Sequence, residues 1–361
     1  MIKPRVVAIL SAVLASTTSA AAEQNIKHTG NMSFSLSAEA SSEPVPIDQM
    51  IEGWEQDADP GEYAYADMSL VASASYQNFT LNAERRWFYS LKFSPDTTAV
   101  YLDAEFGIET QQDRDLNLVA KVFQARGIGG SYRFEGENWS VTPAFMVYKL
   151  IHYQFGSFVG RSFADEGSNF SASLSYYFDE YRFPSFDTLP EYEDPQGTAS
   201  QDWFGYSASV SGNWSPTEEL DLALQVKDLW NLLDMGNSGH RSICAEVGEV
   251  TDPVCSSGGA ASGDDNPKVL ETSIKSTVIA NAVYKPLDVY VQYYWHDVYR
   301  NLSIEKRYPF GNAQLGLVGT SKRQLGAALY WQGLSASYIV DDLNIKQVRD
   351  ARIGLSYQYL W

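Results

Sequence analysis

Apolar and polar residues alternate with a period of two along almost the whole chain. Met32, Phe34, Leu36, Ala38 and Ala40 are separated by Ser33, Ser35, Ser37 and Glu39. One face of such a segment is apolar and the other polar, which is what a half-buried β-strand requires. The same alternation runs through 68–76, 79–93, 170–178, 204–210, 220–226, 289–295 and 351–361. It is also read in Leu102, Ala104, Phe106 and Ile108, interleaved with Asp103, Glu105, Gly107 and Glu109. A helical stripe is hard to find, and Gly and Pro punctuate the gaps between runs. The pattern predicts an all-β chain of about fourteen strands, with roughly twelve to sixteen compatible with it.

Many amphipathic strands fit a soluble sandwich or propeller, or a transmembrane antiparallel up-and-down β-barrel. Three features favour the barrel. The polar register is rich in Ser, Asn, Gln, Asp and Glu, which suits a wet interior. Aromatic residues gather at strand ends, as in the girdles at membrane interfaces. Links also alternate between short (77–78, 112–114, 215–218, 285–288, 332–333) and long (41–62, 180–201, 231–270, 301–321). With an even strand count and a periplasmic C-terminus, the long links fall outside the cell. Segment 154–168 breaks this count, unless 115–134 holds two strands or 154–168 folds inward.

Residues 1–22 read as a secretory signal, with Lys3 and Arg5 before the apolar stretch Val6 to Leu14 and small residues Ala20 to Ala22 at the cleavage point. Residues 23–361 would then be the barrel. Cys244 and Cys255 are the only cysteines, and in an exported chain they read as one loop disulfide.

The last residues, Ile353-Gly354-Leu355-Ser356-Tyr357-Gln358-Tyr359-Leu360-Trp361, resemble the closing strand of Gram-negative outer-membrane β-barrel proteins. Those chains typically end in an aromatic residue, with apolar or aromatic residues at alternate positions before it. Trp361 stands where Phe is commoner. The resemblance implies that Tyr357, Tyr359 and Trp361 form a signal read by the barrel-assembly machinery. It implies a class, porin-like channels among it, without naming a family.

In lipid a sheet must close, because every backbone polar group needs a partner. One register then meets acyl chains and the other lines the lumen. Candidate pore-lining residues are Glu84, Arg86, Lys92, Asp103, Glu105, Glu109, Lys121, Lys227, Lys275, Gln292, His296 and Arg352. Arg85 breaks the apolar register of its strand, through a bulge at 85–86 or a place near headgroups.

Charge narrows the function. The chain has 45 acidic and 26 basic residues, a net charge of −19, so nucleic acid is excluded as a partner by repulsion from phosphate. Mean hydropathy is −0.27, and past the N-terminus no apolar run is long enough for a spanning helix. Links 41–62, 180–201 and 231–270 carry 18 acidic residues against three basic ones. Acidic clusters at a pore mouth focus cations and repel anions. The expectation is therefore a channel for passive diffusion of small hydrophilic solutes, favouring cations or neutral molecules. A closed structural barrel, or a receptor or adhesin acting through its acidic loops, is the alternative. Neither GxSxG nor HExxH occurs, and no paired-carboxylate constellation stands out, so a barrel hydrolase is the weaker reading and no enzyme is expected. No metal or other cofactor is called for. Expected partners are outer-membrane lipid and lipopolysaccharide, the barrel-assembly machinery and the solute, and a homo-oligomer is compatible with the pattern.

Overall fold

The computed structural model describes residues 30–52, 58–105, 107, 112–164, 169–179, 203–248, 250, 253–256 and 261–361. The expected signal peptide, residues 180–201 and Glu109 lie outside them. The strands are β1 (Gly30–Ser42), β2 (Tyr63–Tyr76), β3 (Phe79–Phe93), β4 (Arg114–Tyr132), β5 (Phe134–Glu135), β6 (Trp139–Ser162), β7 (Phe170–Phe178), β8 (Phe204–Thr217), β9 (Leu220–Val247), β10 (Ala261–Asp265), β11 (Lys268–Thr272), β12 (Thr277–Tyr284), β13 (Val289–His296), β14 (Tyr299–Phe310), β15 (Ala313–Thr320), β16 (Leu325–Trp331), β17 (Leu334–Val340) and β18 (Asp350–Leu360). Among the described residues two α-helices, α1 (Gln49–Glu52) and α2 (Pro95–Glu105), lie in links.

These strands build a closed antiparallel barrel of 14 staves. Closure comes from β1 against β18, in register from Asn31↔Leu360 to Ser41↔Asp350. β7 and β8 lie end to end as one stave between β6 and β9. β10, β11 and β12 likewise follow one another along β9. Gly30 and Trp361 mark one rim, called here the terminal rim. The other is the far rim. Terminal-rim connections are short. Gln332 and Gly333 both take positive φ (45° and 82°), the geometry of a two-residue hairpin turn. A Cβ on Gly333 would meet the Gln358 carbonyl at 2.4 Å.

The wall is uneven in height. β6 and β9 have 24 and 28 residues, whereas β13 and β15 have 8 and β16 and β17 have 7. This corrects several sequence expectations. Segment 102–105 is helical, so Asp103 and Glu105 belong to α2 in a far-rim link and not to a lumen-lining strand. Residues 115–132 form one strand and 154–162 complete β6, which removes the parity conflict. Residues 231–247 and 261–265 are strand that rises above the low wall, not loop. Residues 301–320 belong to β14 and β15, joined at the terminal rim through Gly311 (φ 60°). Arg85 sits in a continuous ladder and simply faces outward, opposite Leu70 and Arg126.

The outer face carries a belt of exposed apolar side chains, including Met32, Phe34, Leu81, Ile128, Phe145, Leu224, Leu302, Ile304, Leu317 and Leu329. Exposed Tyr76, Phe79, Tyr132, Trp139, Trp214 and Trp331 ring the terminal rim. No helix among the described residues is long and apolar enough to cross a membrane.

Candidate functional site

The candidate site is the barrel interior, which has two unlike layers. Near the terminal rim the inward register is small and polar, and it pairs across strands. Ser73 donates to Asn82 (2.7 Å), Ser75 lies 2.7 Å from Thr80, Gln292 donates to Asn281 (2.9 Å), and Ser335 lies 2.8 Å from Ser356. A cavity of about 60 Å³ lies against Asn281, Gln292, Ser303, Glu305, Arg307, Ser337 and Arg352, room for a few waters. A larger concavity, about 550 Å³, lies on the outer wall beside Leu302, Ile304, Gly319 and Leu325 and is separate from the lumen.

Above this layer the interior fills. Arg86 is buried and donates to Asp67 (2.9 and 3.0 Å) and Asp228 (2.8 and 3.0 Å). Such a cluster is tolerable only because each charge has opposite partners with good geometry. Arg352 donates to Glu39 (2.7 Å), Gln292 (2.8 Å) and Ser303 (3.1 Å). Glu39 also accepts from Tyr299. Tyr148 donates to Glu84 at 2.6 Å. Aromatic rings stack among these charges: Phe88 on Phe123 (5.1 Å), and Tyr65 on His296 (4.8 Å) and Tyr299 (5.3 Å). Tyr63, Leu150, Tyr153, Phe155, Leu233, Met235 and Ile274 extend the same buried cluster.

Several bonds join far-apart staves. The hydroxyls of Tyr65 on β2 and Tyr294 on β13 are 2.7 Å apart. Lys92 on β3 reaches Asp297 after β13 at 2.9 Å. In the turn after β15, Lys322 donates to Tyr63 at 2.6 Å. Its partial burial opposes the charge, yet the Tyr63 hydroxyl and nearby Asp350 hold its pKa above the ordinary lysine value.

The most distinctive feature is segment 273–276. Here β11 ends and β12 has not begun, so the ladder to β9 is interrupted. The side-chain amide of Asn231 replaces it, accepting from the Ile274 N–H (2.8 Å) and donating to the Ile274 carbonyl (3.0 Å). Ser276 donates to the Asp228 carbonyl (3.1 Å). Ile274 is buried in the aromatic cluster, and Lys121 on β4 donates to the Ser273 carbonyl (2.6 Å). The chain thus leaves the wall ladder, buries Ile274 among the aromatic side chains of the interior and is reached by Lys121 from β4, four staves away.

Of the residues singled out in the sequence, Glu84, Arg86, Lys92, Lys121, Lys227, Gln292, His296 and Arg352 share the inward register. His296 is buried against Thr277 (2.9 Å). Lys275 lies exposed on the detour. Asp103 on α2 pairs with Arg114 at the start of β4 (3.0 Å). Sequence reasoning missed Glu39, Asp67, Asp228 and Tyr299. Asp67 could have been found, since it extends the polar register of Ser69, Ser73 and Ser75 by one step. Asp228 could not, because it lies at a bulge with φ 55°. Cys244 and Cys255 are disulfide-bonded, Cα atoms 5.9 Å apart. Two histidine contacts lie outside the lumen cluster: His152 Nδ1 is 2.7 Å from Asp179, and His240 Nε2 is 3.1 Å from Ser175.

Neither a protein-family model nor a curated protein matches the chain. Among solved structures it is similar to the P. putida toluene transporter TodX, with 8% identity over 93% of this chain and 91% of that one and a TM-score of 0.35. It is similar to the CymD monoaromatic hydrocarbon channel, with 10% identity over 93% and 89% and a TM-score of 0.32. It is also similar to the outer membrane protease OmpT from Escherichia coli, with 9% identity over 94% and 99% and a TM-score of 0.23. These are likenesses to barrels of differing activity, and none assigns an activity to this chain.

Proposed function

We propose that this protein is an outer-membrane channel for small solutes, closed at mid-height and opened by withdrawal of segment 273–276. The terminal rim would face the periplasm and the acidic far-rim links the outside. The apolar outer belt supports residence in lipid, since a closed barrel satisfies its backbone without water. The observation that carries the channel reading is the detour itself. A wall meant only to be a wall keeps its ladder. Here the ladder is given up, and a short segment is held across the lumen by side chains. Below it the inward register is lined by small polar side chains, which suits hydrophilic solutes. Above it, acidic links would favour cations or neutral molecules over anions.

Planar-bilayer recordings of the refolded protein test this. The wild type should conduct in rare, small openings, and Asn231→Ala should raise the open fraction. Reversal potentials under a salt gradient should favour the cation. The cross-lumen bonds Tyr65–Tyr294 and Lys92–Asp297 favour a second reading, a permanently closed structural barrel. Silence of both wild type and variant would establish it.

A further inference from the structure

The outer wall carries a feature that the channel reading does not use. Arg85 on β3, Arg126 on β4 and Lys149 on β6 are direct cross-strand partners, Arg85↔Arg126 and Arg126↔Lys149. All three share the outward register with Leu81, Ile128 and Val147, which are exposed. Like charges placed opposite one another on neighbouring strands repel, and bases on a lipid-facing wall are costly. Among the described residues none of the three has a carboxylate partner within salt-bridge distance. Further along β6, His152 has a carboxylate partner of its own, Asp179 (2.7 Å). The Nε of Arg85 is buried without a hydrogen-bond partner.

We infer that this row is a binding site for the phosphate of an anionic, phosphorylated lipid in the outer leaflet. Lys149 stands ten residues beyond Trp139 of the terminal-rim girdle, about 25 Å along the barrel axis for strands tilted roughly 40°. That is the full height of an apolar band at Lys149, whereas Arg85 and Arg126 stand six residues beyond Phe79 and Tyr132, about 15 Å, so the two guanidinium groups reach outer-leaflet headgroups by extending upward. Arg85 starts lower, and its guanidinium leans over Trp87, 4.7 Å from the ring, as a snorkelling side chain does. The ligand needs acyl chains for the apolar register below and a multivalent anion to join three bases. A free phosphate supplies only the second.

The inference rests on residence of the barrel in a membrane, so that is measured separately. Wild type and the triple variant Arg85→Gln/Arg126→Gln/Lys149→Gln are refolded, checked for the gel-mobility shift of a closed barrel, and checked for insertion into vesicles. A barrel that closes but does not insert overturns the membrane reading, whatever it binds. Refolded protein in detergent is then titrated with bis-phosphorylated lipid A, phosphatidylcholine of matched chain length, and inorganic phosphate, and followed by native mass spectrometry. Expected is saturable lipid A binding, weakened at least tenfold or so in the triple variant, since charge-assisted contacts are each worth about that factor. Lysine at positions 85 and 126 should preserve most of it. Equal binding by wild type and variant, equal binding of phosphatidylcholine, or displacement by millimolar phosphate overturns the proposal. Should the triple variant fail to close, Arg126→Gln alone, which removes the central charge, must still weaken binding severalfold.

Discussion

Asp228 on β9 takes a left-handed backbone conformation (φ 55°) and from it grips Arg86 of β3 through both carboxylate oxygens. The bulge that turns Asp228 is fixed by Ser209, which accepts from its N–H at 3.2 Å, while Ser207 donates to its carboxylate at 2.8 Å. A strained residue persists only where surroundings over-determine it. Here they do so in order to set a carboxylate against a buried guanidinium.

Removing Asp228 leaves Arg86 with Asp67 as its remaining carboxylate partner and strands, in a buried site, the guanidinium nitrogen that Asp228 accepts from. Asp228→Ala should lower unfolding stability by about 3–5 kcal/mol, and the positive φ should add about 1 kcal/mol against alanine. Asp228→Asn keeps the turn and should cost visibly less. Urea titration of the refolded barrel in detergent, read by tryptophan fluorescence, compares them. Equal costs for Ala and Asn would mean that the lost charge, common to both variants, dominates and that the turn and the remaining amide bonds contribute little.

Asn231 does for segment 273–276 what a ladder does elsewhere. Asn231→Ala removes two hydrogen bonds to the Ile274 backbone and should cost about 1–3 kcal/mol, mostly as local opening. The sharper readout is cleavage by trypsin at Lys275, which should accelerate in the variant while the barrel core stays protease-resistant. Unchanged cleavage would show that burial of Ile274, not the amide, holds the detour.

The strand alternation was legible because most staves separate an apolar from a polar surroundings, residue by residue. The reading failed where that contrast disappears. Residues 231–247 and 261–265 stand in the tall part of the wall and do not alternate cleanly, so they look like loop. Residues 301–307 look like loop because the inward register of β14 holds Asn301, Ser303, Glu305 and Arg307. Segment 102–108 alternates by chance, while the helical signal lies earlier: Pro95 in the first turn, and the Ser94 hydroxyl accepting from the Thr97 N–H at 3.2 Å. The filled lumen was hidden for another reason. Tyr63, Tyr65, Phe88 and Phe123 fall on the inward register, yet alternation assigns aromatics to lipid. Only the three-dimensional pairing of distant staves shows them facing one another.

The Cys244–Cys255 bond closes a short loop above β9. In the chain-entropy picture a loop of this length contributes about 3 kcal/mol. Reduction should lower global stability by no more than that and leave the barrel closed on unheated gels. Proteolysis should increase within 248–260 first. A reduced protein that no longer closes would place the bond in assembly of the wall itself.

The seam that closes the barrel ends in one tight contact at the terminal rim. The backbones of Gly30 and Trp361 exchange hydrogen bonds in both directions (3.2 and 3.3 Å), and a Cβ built on Gly30 would meet the indole at 2.6 Å. The indole can lie over the first residue of β1 only because that residue lacks a side chain. Gly30→Val should displace Trp361 while leaving the other β1–β18 pairs intact, so equilibrium stability should fall by only about 1–2 kcal/mol. The rate of folding into vesicles should fall more, since β1 and β18 meet from opposite ends of the chain and such long-range pairing is the slow step. Trp361→Ala should slow folding similarly, and the double variant no further than either alone, because both remove the same contact. Additive slowing would mean that the ring and the glycine act independently. In that case the terminal aromatic residue serves recognition during assembly and not the final seam.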